Sequence, residues 1–334
     1  MRVAVYSAKA YDRSYLDGGN RGRHQFIYLL PALDEANAVL ASGHRRVCIF
    51  VNDRADAAVL TALAGMGATA LVLRCAGYNQ VDLAAAARLG MRVARVPSYS
   101  HRAIAEHSVA LLLMLARKLH QAYNRVREGN FSIDGLIGFE LAGKTVGLVG
   151  TGAIGAATAR ILLGFGCRVV ASDPHPDPAI ADDLRGRGVE YLPLAEVLAR
   201  STVVSVHLPL SSSSTAHVID AGAIALMRPG ALLINTSRGG VLDTSAASAA
   251  LKTGQLGGLG LDVYEGEAGL FFEDRSDRII LDDRFTRLQA FPNVVITGHQ
   301  AFLTHEALSA IADTTLANLD LLERNEPCAN AMTA

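Results

Sequence analysis

The feature that most constrains the fold of this chain is a glycine-rich turn between a strand pattern and a helix pattern. Residues 144–149 are Lys-Thr-Val-Gly-Leu-Val, which predicts a buried strand, and residues 156–163 follow a helical pattern. Between them lies Gly150-Thr151-Gly152-Ala153-Ile154-Gly155. A G-x-G-x-x-G sequence is weakly specific by itself, but here strand, turn and helix coincide as a dinucleotide-binding unit requires.

Each glycine of this turn has a predicted task. Gly150 permits the tight turn, Gly152 lets the backbone approach a pyrophosphate, and Gly155 lets the helix pack on the strand. The helix N-terminus then offers free N–H groups and the positive end of its dipole to the phosphates. We therefore assign five residues of this turn to cofactor binding: Gly150, Gly152, Ala153, Ile154 and Gly155.

An acid follows the next strand pattern and bears on which dinucleotide is bound. Asp173 lies 18 residues after Gly155. A carboxylate there accepts hydrogen bonds from the ribose hydroxyls of an adenosine and repels a 2′-phosphate. The sequence therefore predicts NAD rather than NADP. The structural alternative is a plain glycine-rich turn with an ordinary acid at the end of a strand, and the coincidence of strand, turn, helix and acid disfavours it.

The rest of the chain alternates short β-branched strand patterns with longer Ala- and Leu-rich helical patterns. The predicted strands are 3–6, 47–51, 71–73, 93–96, 145–149, 168–172, 203–207, 231–235, 259–263 and 294–297. Helical patterns without Gly or Pro cover 104–128 and 304–323. Such alternation predicts crossover units and parallel sheets. We predict two domains, one at 103–298 and the other made of 1–102 plus 299–334.

Composition and charge exclude several classes of protein. Half of the 334 residues are hydrophobic and 19% are charged, which excludes wholesale disorder. The 31 Lys and Arg residues nearly balance the 32 Asp and Glu residues, so the net charge is −1. A near-neutral chain lacks the basic footprint of a nucleic-acid-binding protein. We therefore expect no nucleic-acid partner.

Cysteines, histidines and apolar runs give further expectations. The four cysteines form no C-x-x-C pair and the histidines form no H-E-x-x-H motif, so we predict no metal site. The apolar run 109–116 is too short to span a bilayer, and the first residues are not a signal peptide. We expect a cytoplasmic protein with no membrane contact.

Polar residues follow the last three strand patterns of the second predicted domain. Arg238 lies in a Gly-rich turn, the segment 261–267 carries three acids that include Glu267, and His299 follows the last strand pattern. An arginine binds a carboxylate through paired hydrogen bonds, and a protonated histidine donates to a carbonyl oxygen. A carboxylate partner stabilises a charged histidine and fixes its tautomer.

Each of these residues alone also has an ordinary explanation, as a loop arginine, a solvated acid or a structural histidine. Their combination in a domain that binds a nicotinamide cofactor favours reversible hydride transfer between a 2-hydroxy acid and a 2-keto acid.

The same stretches resemble the NAD-dependent D-2-hydroxyacid dehydrogenases over essentially the whole chain. The resemblance is carried by the glycine turn, by Asn235-Thr236-Ser237-Arg238-Gly239, by 261–267 and by Gly298-His299-Gln300-Ala301-Phe302. It implies an α/β fold with two doubly wound parallel-sheet domains. A Rossmann dinucleotide-binding domain would be inserted in a flavodoxin-like substrate domain.

The resemblance also implies roles for individual residues. Arg238, Glu267 and His299 match the family's catalytic residues, with Glu265 as the nearby alternative to Glu267, and Asp262 matches the acid that contacts the nicotinamide carboxamide. The implied cofactor contacts are Gly150, Gly152, Ala153, Ile154, Gly155, Asp173, His207, Leu208, Pro209, Thr215, Thr236, Ser237, Arg238 and Asp262. The implied substrate contacts are Gly77, Tyr78, Tyr99, Arg238, His299 and Phe302.

Within the family, the segments 73–82, 97–100 and 269–274 resemble the bacterial fermentative D-lactate dehydrogenases. This implies reversible NADH-dependent reduction of pyruvate to D-lactate. One alternative is another member of the family that reduces glyoxylate, hydroxypyruvate or a bulkier 2-keto acid. Another is a dinucleotide-sensing corepressor of the same fold. The family forms dimers and tetramers, which implies a homo-oligomer.

Overall fold

A computed structural model describes residues 1–210 and 214–333. The chain divides into two compact units, Met1–Ser100 with Leu303–Ala334, and His101–Phe302. The predicted α/β class with two parallel-sheet domains is confirmed. The second unit begins two residues earlier than predicted and ends four residues later, so that His299 belongs to it. The later end has a physical reason, because the amides of Gln300 and Ala301 donate hydrogen bonds to Asp262 of the second unit.

Strands and helices alternate along the described residues. The strands are β1 (Arg2–Val5), β2 (Gln25–Tyr28), β3 (Arg46–Ile49), β4 (Ala70–Leu73), β5 (Arg92–Ala94), β6 (Thr145–Val149), β7 (Arg168–Ser172), β8 (Glu190–Tyr191), β9 (Val203–Val206), β10 (Ala231–Asn235), β11 (Leu256–Leu261), β12 (Val294–Ile296) and β13 (Ala331–Met332). The helices are α1 (Ala10–Asn20), α2 (Ala57–Gly65), α3 (Leu83–Arg88), α4 (His101–Ala116), α5 (Leu119–Arg127), α6 (Ala153–Gly164), α7 (Pro178–Gly186), α8 (Leu194–Arg200), α9 (Ala221–Leu226), α10 (Thr244–Thr253), α11 (Asp283–Gln289) and α12 (His305–Glu323), with short 3₁₀ turns at Ala38–Ala41 and Gly239–Val241. Within the described residues no helix combines the length and apolar character that a membrane crossing requires.

The sheet of the first unit has the strand order β13-β5-β4-β3-β1-β2. Only β13 is antiparallel to its neighbour. The order 2-1-3-4-5 of its first five strands is the flavodoxin-like one, as predicted. Helices α1 and α12 cover one face, where Leu16, Leu316 and Leu319 pack on Val3 and Val72.

The sheet of the second unit has the order β12-β11-β10-β9-β6-β7-β8, with all strands parallel. This is the Rossmann order with a seventh strand added at one edge. Side chains of β6 alternate between two cores: Val146 and Leu148 pack beneath α4 and α6, whereas Val149 packs with residues of α10. The strand order reverses between β6 and β9, and such a reversal is where α/β sheets bind ligands beyond the carboxyl ends of their strands.

The predicted helix over 104–128 is wrong in one respect, because the chain forms two helices there. Helix α4 ends at Ala116 and Lys118 adopts a left-handed φ of +52° before α5 begins. The amide of Phe139 donates a hydrogen bond of 3.0 Å to the carbonyl oxygen of Ala116. A segment some twenty residues away therefore satisfies the helix end, so that no local Gly or Pro is needed.

Candidate active site

Close packing shapes the glycine turn after β6. Gly150 has a φ of +94°, and a Cβ there would lie 2.5 Å from the carbonyl oxygen of His207. A Cβ on Gly155 would lie 2.1 Å from the carbonyl oxygen of Gly150. Both positions therefore exclude a side chain, because the first needs a left-handed backbone and the second packs α6 against the turn.

Gly152 differs from these two glycines, since a Cβ built on it meets no described atom within 4 Å. It is the N-cap residue of α6, and no described side chain caps the helix there. The first N–H groups of a helix have no intrahelical partners. Open space next to uncapped N–H groups at the positive end of a helix fits a pyrophosphate. The residues present here therefore fit the phosphates of NAD.

Asp173 follows β7 and lies against the same turn. Its Oδ2 accepts hydrogen bonds from the amide (2.7 Å) and the hydroxyl (3.0 Å) of Thr151. Its Oδ1 accepts one from the amide of His175 at 3.0 Å. The carboxylate is thus held beside the pyrophosphate position, where an adenosine ribose needs an acceptor. Sequence reasoning placed the turn and the acid but did not identify Thr151 as the residue that joins them.

The segment after β9 packs on the other side of the turn. The amide of His207 donates to the carbonyl oxygen of Val149 at 2.8 Å, which continues the sheet to this residue. The imidazole Nε2 lies 3.0 Å from Ser205 Oγ, and burial lowers the pKa of His207 to about 4. The ring is therefore neutral at pH 7. Further along, the hydroxyl of Thr215 donates to the carbonyl oxygen of Pro209 at 2.6 Å.

Arg238 lies just after β10 in a turn that Asn235 organises. The Asn235 side-chain amide donates to the carbonyl oxygen of Arg238 at 2.9 Å, and its Oδ1 accepts from the amide and the hydroxyl of Ser237. Nη1 of Arg238 donates to the carbonyl oxygen of Ser237 at 2.7 Å. In the described residues no carboxylate forms an ion pair with this half-buried guanidinium, so its other N–H groups are available to an anionic ligand.

The imidazole of His299 is paired with Glu267. His299 Nδ1 lies 2.8 Å from Glu267 Oε1, and both side chains are mostly buried. The other oxygen, Oε2, accepts a hydrogen bond from the amide of Tyr264 at 2.9 Å, which fixes the carboxylate. Glu265 lies instead 2.7 Å from Nε2 of His217. The geometry therefore joins the predicted histidine to Glu267 and not to its neighbour in sequence.

Asp262 is fully buried beneath the loop that carries His299. Its Oδ1 accepts hydrogen bonds from the hydroxyl of Thr297 (2.5 Å) and the amide of Gln300 (2.8 Å), and its Oδ2 accepts one from the amide of Ala301 (2.9 Å). Burial opposes the charge, but these bonds and one from His107 outweigh it and hold the pKa of Asp262 below its usual value. The carboxylate is therefore ionised, and its predicted contact with nicotinamide stays a prediction.

Three residues near the predicted catalytic histidine, namely Phe272, His107 and Thr297, were not identified as functional from the sequence. The Phe272 ring lies 5.5 Å from the His299 ring, centroid to centroid. His107 Nε2 lies 2.9 Å from Thr297 Oγ1 and 3.4 Å from Asp262 Oδ1. His107 and Phe272 lie far from His299 in the sequence, so no local motif joins them to it, and Thr297 shows only its place at the end of a predicted strand.

In the first unit, the predicted substrate residues follow the carboxyl ends of strands. Gly77 and Tyr78 follow β4 and Tyr99 follows β5. The Arg95 guanidinium lies 5.1 Å from the centre of the Tyr78 ring and donates to the carbonyl oxygen of Ala76 at 2.6 Å. Tyr78 is 41% exposed. Phe302, which belongs to the second unit, is buried. Their contacts with a substrate stay predictions.

Three side chains of the kinds that bind metal ions lie close together in the described residues, although the sequence showed no metal-binding motif. His24, Asp320 and Glu323 place side-chain nitrogen and oxygen atoms within 4.8 Å of one another. Asp320 also pairs with Arg23, and Glu323 lies 3.5 Å from the amino group of Met1. Cationic groups of the chain already neutralise these acids, so the cluster is an ion-pair network.

Comparison with known proteins agrees with this geometry. Residues 109–301 match the family model described as D-isomer specific 2-hydroxyacid dehydrogenase, NAD binding domain. The chain is 47% identical to the D-lactate dehydrogenase of Escherichia coli, over 99% of this chain and 100% of that protein. It is 49% identical to 2-hydroxyacid dehydrogenase A of Aspergillus oryzae, over 99% and 95%. The solved structure of the pyruvate reductase of Chlamydomonas reinhardtii superimposes with a TM-score of 0.93 at 45% identity, over 99% and 98%.

A match of this extent shows the family and not only the fold. The family acts with NAD, and the turn at Gly150–Gly155 and the acid at Asp173 supply the groups that this cofactor needs. The chain therefore belongs to the D-isomer specific 2-hydroxyacid dehydrogenases and is an NAD-dependent oxidoreductase.

Proposed function

We propose that this chain catalyses the reversible NADH-dependent reduction of pyruvate to D-lactate. The observation that carries the proposal is the 2.8 Å contact between His299 Nδ1 and Glu267 Oε1. Arg238 follows a neighbouring strand of the same sheet. Strands β10, β11 and β12 are neighbours in the sheet, and the three residues follow their carboxyl ends. The choice of pyruvate is supported by relatives named D-lactate dehydrogenase and pyruvate reductase.

Proton transfer falls to His299. Because Nδ1 is engaged by Glu267, Nε2 is the nitrogen that donates a proton to the carbonyl oxygen of the keto acid. The negative charge of Glu267 stabilises the imidazolium, and its bond to the Tyr264 amide keeps the ring in one orientation. In the reverse direction the neutral ring accepts the proton of the hydroxy acid.

Substrate orientation falls to Arg238. Its anchored Nη1 fixes the guanidinium, and its remaining N–H groups bind the substrate carboxylate and polarise the carbonyl group. Gly77, Tyr78 and Tyr99 of the first unit and Phe302 complete the proposed substrate contacts.

NADH, when bound, supplies the hydride that reduces C2 of the keto acid. Its adenosine ribose would be held by Asp173. Its pyrophosphate would be held by the glycine turn, through Gly150, Gly152, Ala153, Ile154 and Gly155. The remaining proposed contacts are His207, Leu208, Pro209, Thr215, Thr236, Ser237 and Asp262.

We also propose that the chain is a cytoplasmic homo-oligomer. Support for the oligomer comes from exposed apolar side chains in the segment 119–137. Phe131, Ile133 and Ile137 are 75%, 81% and 86% exposed, and the same segment also exposes Leu119, Tyr123 and Val126. A monomer rarely exposes such a patch to water. Sedimentation of wild type and of Ile133→Glu tests this proposal, with a smaller species expected for the variant.

The substrate proposal is tested by NADH oxidation with pyruvate, glyoxylate, hydroxypyruvate, oxaloacetate and phenylpyruvate. The proposal predicts the highest kcat/KM with pyruvate, a product with D configuration, and loss of turnover in His299→Gln. A higher kcat/KM with another keto acid would assign the chain to a different member of the family. Tight NADH binding without turnover on any keto acid would favour the dinucleotide-sensing alternative.

A further inference from the structure

A cavity of about 520 Å³ opens in the first unit at the edge where its strands begin. Arg2 begins β1 and Arg46 begins β3, and both line the cavity with Arg45, Leu322, Glu323 and Asn325. The predicted substrate residues Gly77, Tyr78 and Tyr99 follow the opposite, carboxyl ends of β4 and β5. The cavity is therefore separate from the proposed substrate contacts of this unit.

Two of the arginines that line the cavity have no structural partner. Arg2 and Arg45 are exposed, and within the described ranges neither guanidinium donates a hydrogen bond or forms an ion pair. Because their charges have no partner in the described part of the chain, they are available to a ligand.

Arg46 presents a fixed guanidinium at the same place. It donates to the carbonyl oxygen of Leu322 at 2.8 Å, to that of Arg45 at 3.2 Å, and to the hydroxyl of Thr69. Its first contact caps the C-terminal end of α12. Its Nε is buried and has no hydrogen-bond partner among the described atoms. These contacts hold the Arg46 guanidinium in place at the cavity, where its charge attracts an anion.

The charge around the cavity is positive and only partly compensated. Burial, together with the positive charges of Arg45 and Arg92, lowers the pKa of Arg46, and Glu323 acts in the opposite direction. Glu323 is the one acid among the described lining residues, and it lies 3.5 Å from the amino group of Met1. Several cations that face one acid form a local field that attracts anions.

We propose that this cavity binds a small, multiply charged oxyanion, which is a compound with two or more phosphate or carboxylate groups. Guanidinium groups match both chemistries through paired N–H···O bonds. A cavity of this volume, with cations that come from two strand starts, accommodates several anionic groups at once. One anionic group near Arg46 and another near Arg2 and Arg45 would use all three guanidinium groups.

Calorimetric titration of the whole chain tests the proposal. Pyrophosphate and citrate are titrated separately at saturating NADH, so that the glycine turn is occupied and cannot take the added anion. We expect saturable binding of at least one of them, with one site per chain and an affinity that falls with salt. The tighter of the two identifies the chemistry as phosphate or carboxylate.

Variants locate the binding site. The double variant Arg2→Ala/Arg45→Ala removes exposed side chains only, and we expect it to weaken binding by about tenfold or more while NADH-linked turnover stays unchanged. Arg88→Ala, an exposed arginine of α3 in the same unit, is the matched control and should bind as wild type does.

A second measurement supports the titration. A bound anion raises the melting temperature of wild type and of Arg88→Ala, and this rise should disappear in the double variant. Absence of saturable binding by both anions, or undiminished binding in the double variant, overturns the proposal.

Discussion

The amide of His299 donates a 2.7 Å hydrogen bond to the main-chain carbonyl oxygen of Asp262. The amides of the next two residues donate to the carboxylate of the same aspartate. Three consecutive N–H groups are therefore fixed by one residue after β11. They hold His299 at a φ of +55°, a left-handed conformation that non-glycine residues rarely adopt. The position of the proposed catalytic imidazole thus depends on Asp262.

Replacement of Asp262 by asparagine should disturb this loop. One acceptor oxygen becomes an NH₂ group that faces an N–H or O–H donor, so a buried hydrogen bond is lost. We expect a loss of stability of about 1–3 kcal/mol and a lower kcat for pyruvate reduction. Urea unfolding and steady-state kinetics measure the two effects. Asp243→Asn, which alters the N-cap of α10 in the same unit, is the control. Wild-type kcat in Asp262→Asn would show that the loop does not need the carboxylate.

Most of the sheet framework is predictable from the sequence, and the exceptions have a common physical cause. The buried strands β6, β7 and β10 are found at their predicted bounds, because parallel strands covered on both faces form continuous apolar runs. The edge strand β2, with the half-exposed sequence Gln-Phe-Ile-Tyr, was not predicted. The two-residue strands β8 and β13 are too short to leave a pattern.

The candidate site is predictable only where a motif is local. Each local motif follows a strand, and this placement indicates that the motifs lie together at the carboxyl edge of the sheet. These motifs are the glycine turn, Asp173, Arg238 and the acids of 261–267. The choice between Glu265 and Glu267 needs the fold, because it depends on which carboxylate faces His299 across two neighbouring strands. His107 comes from a distant segment and carries no local signal. Phe272 lies in the segment 269–274, whose resemblance to the family did not indicate its contact with the His299 ring.

Gly152 and Gly155 lie in the same glycine turn but in different surroundings, so they make a matched test of cofactor binding. Gly152→Ala adds a methyl group into space that no described atom occupies, so the melting temperature should stay unchanged. The same methyl group would meet the pyrophosphate, and the Kd for NADH should rise by about tenfold or more. Gly155→Ala should instead destabilise the chain by about 1–3 kcal/mol, because its Cβ overlaps the Gly150 carbonyl group. Unchanged NADH binding in Gly152→Ala would contradict the assignment.

Asp173 should determine the choice between NADH and NADPH. In Asp173→Ala the ribose loses its acceptor and a 2′-phosphate is no longer repelled, so the preference for NADH should narrow by about tenfold or more. The ratio of kcat/KM values for the two cofactors is the measurement. Asp177→Asn, which changes an exposed acid that caps α7, should keep the wild-type ratio. The same ratio in Asp173→Ala and wild type would rule out this role.

His207 should make the folded chain sensitive to mild acid. Burial lowers its pKa to about 4, whereas an unfolded histidine titrates near 6.5. Between these values the unfolded state binds more protons, so stability is complete above about pH 6.5 and decreases as the pH falls towards 4, by up to about 3 kcal/mol.

Melting temperatures without NADH, measured from pH 7 to pH 4.5, check this expectation. His207→Gln should show a shallower decrease than wild type, and His175→Gln, an exposed histidine of the same unit, should follow wild type. A slope in His207→Gln equal to that of wild type would be inconsistent with a buried neutral ring.

The central claim is that Glu267 acts through His299 by stabilising its charged form. Pyruvate reduction uses the imidazolium as proton donor, and Glu267 is the carboxylate that faces this ring, with Oε1 2.8 Å from Nδ1. In Glu267→Gln the amide still holds the ring but brings no charge. His299→Gln removes the general acid and should lose activity on the order of 10²–10⁴-fold.

The decisive measurement is kcat and KM for pyruvate reduction at one neutral pH by wild type, Glu267→Gln and Glu265→Gln. The account predicts that kcat falls by about tenfold or more in Glu267→Gln, which lacks the charge that faces His299, and stays at the wild-type value in Glu265→Gln, whose carboxylate lies against His217. A wild-type kcat in Glu267→Gln together with a lower kcat in Glu265→Gln would contradict it.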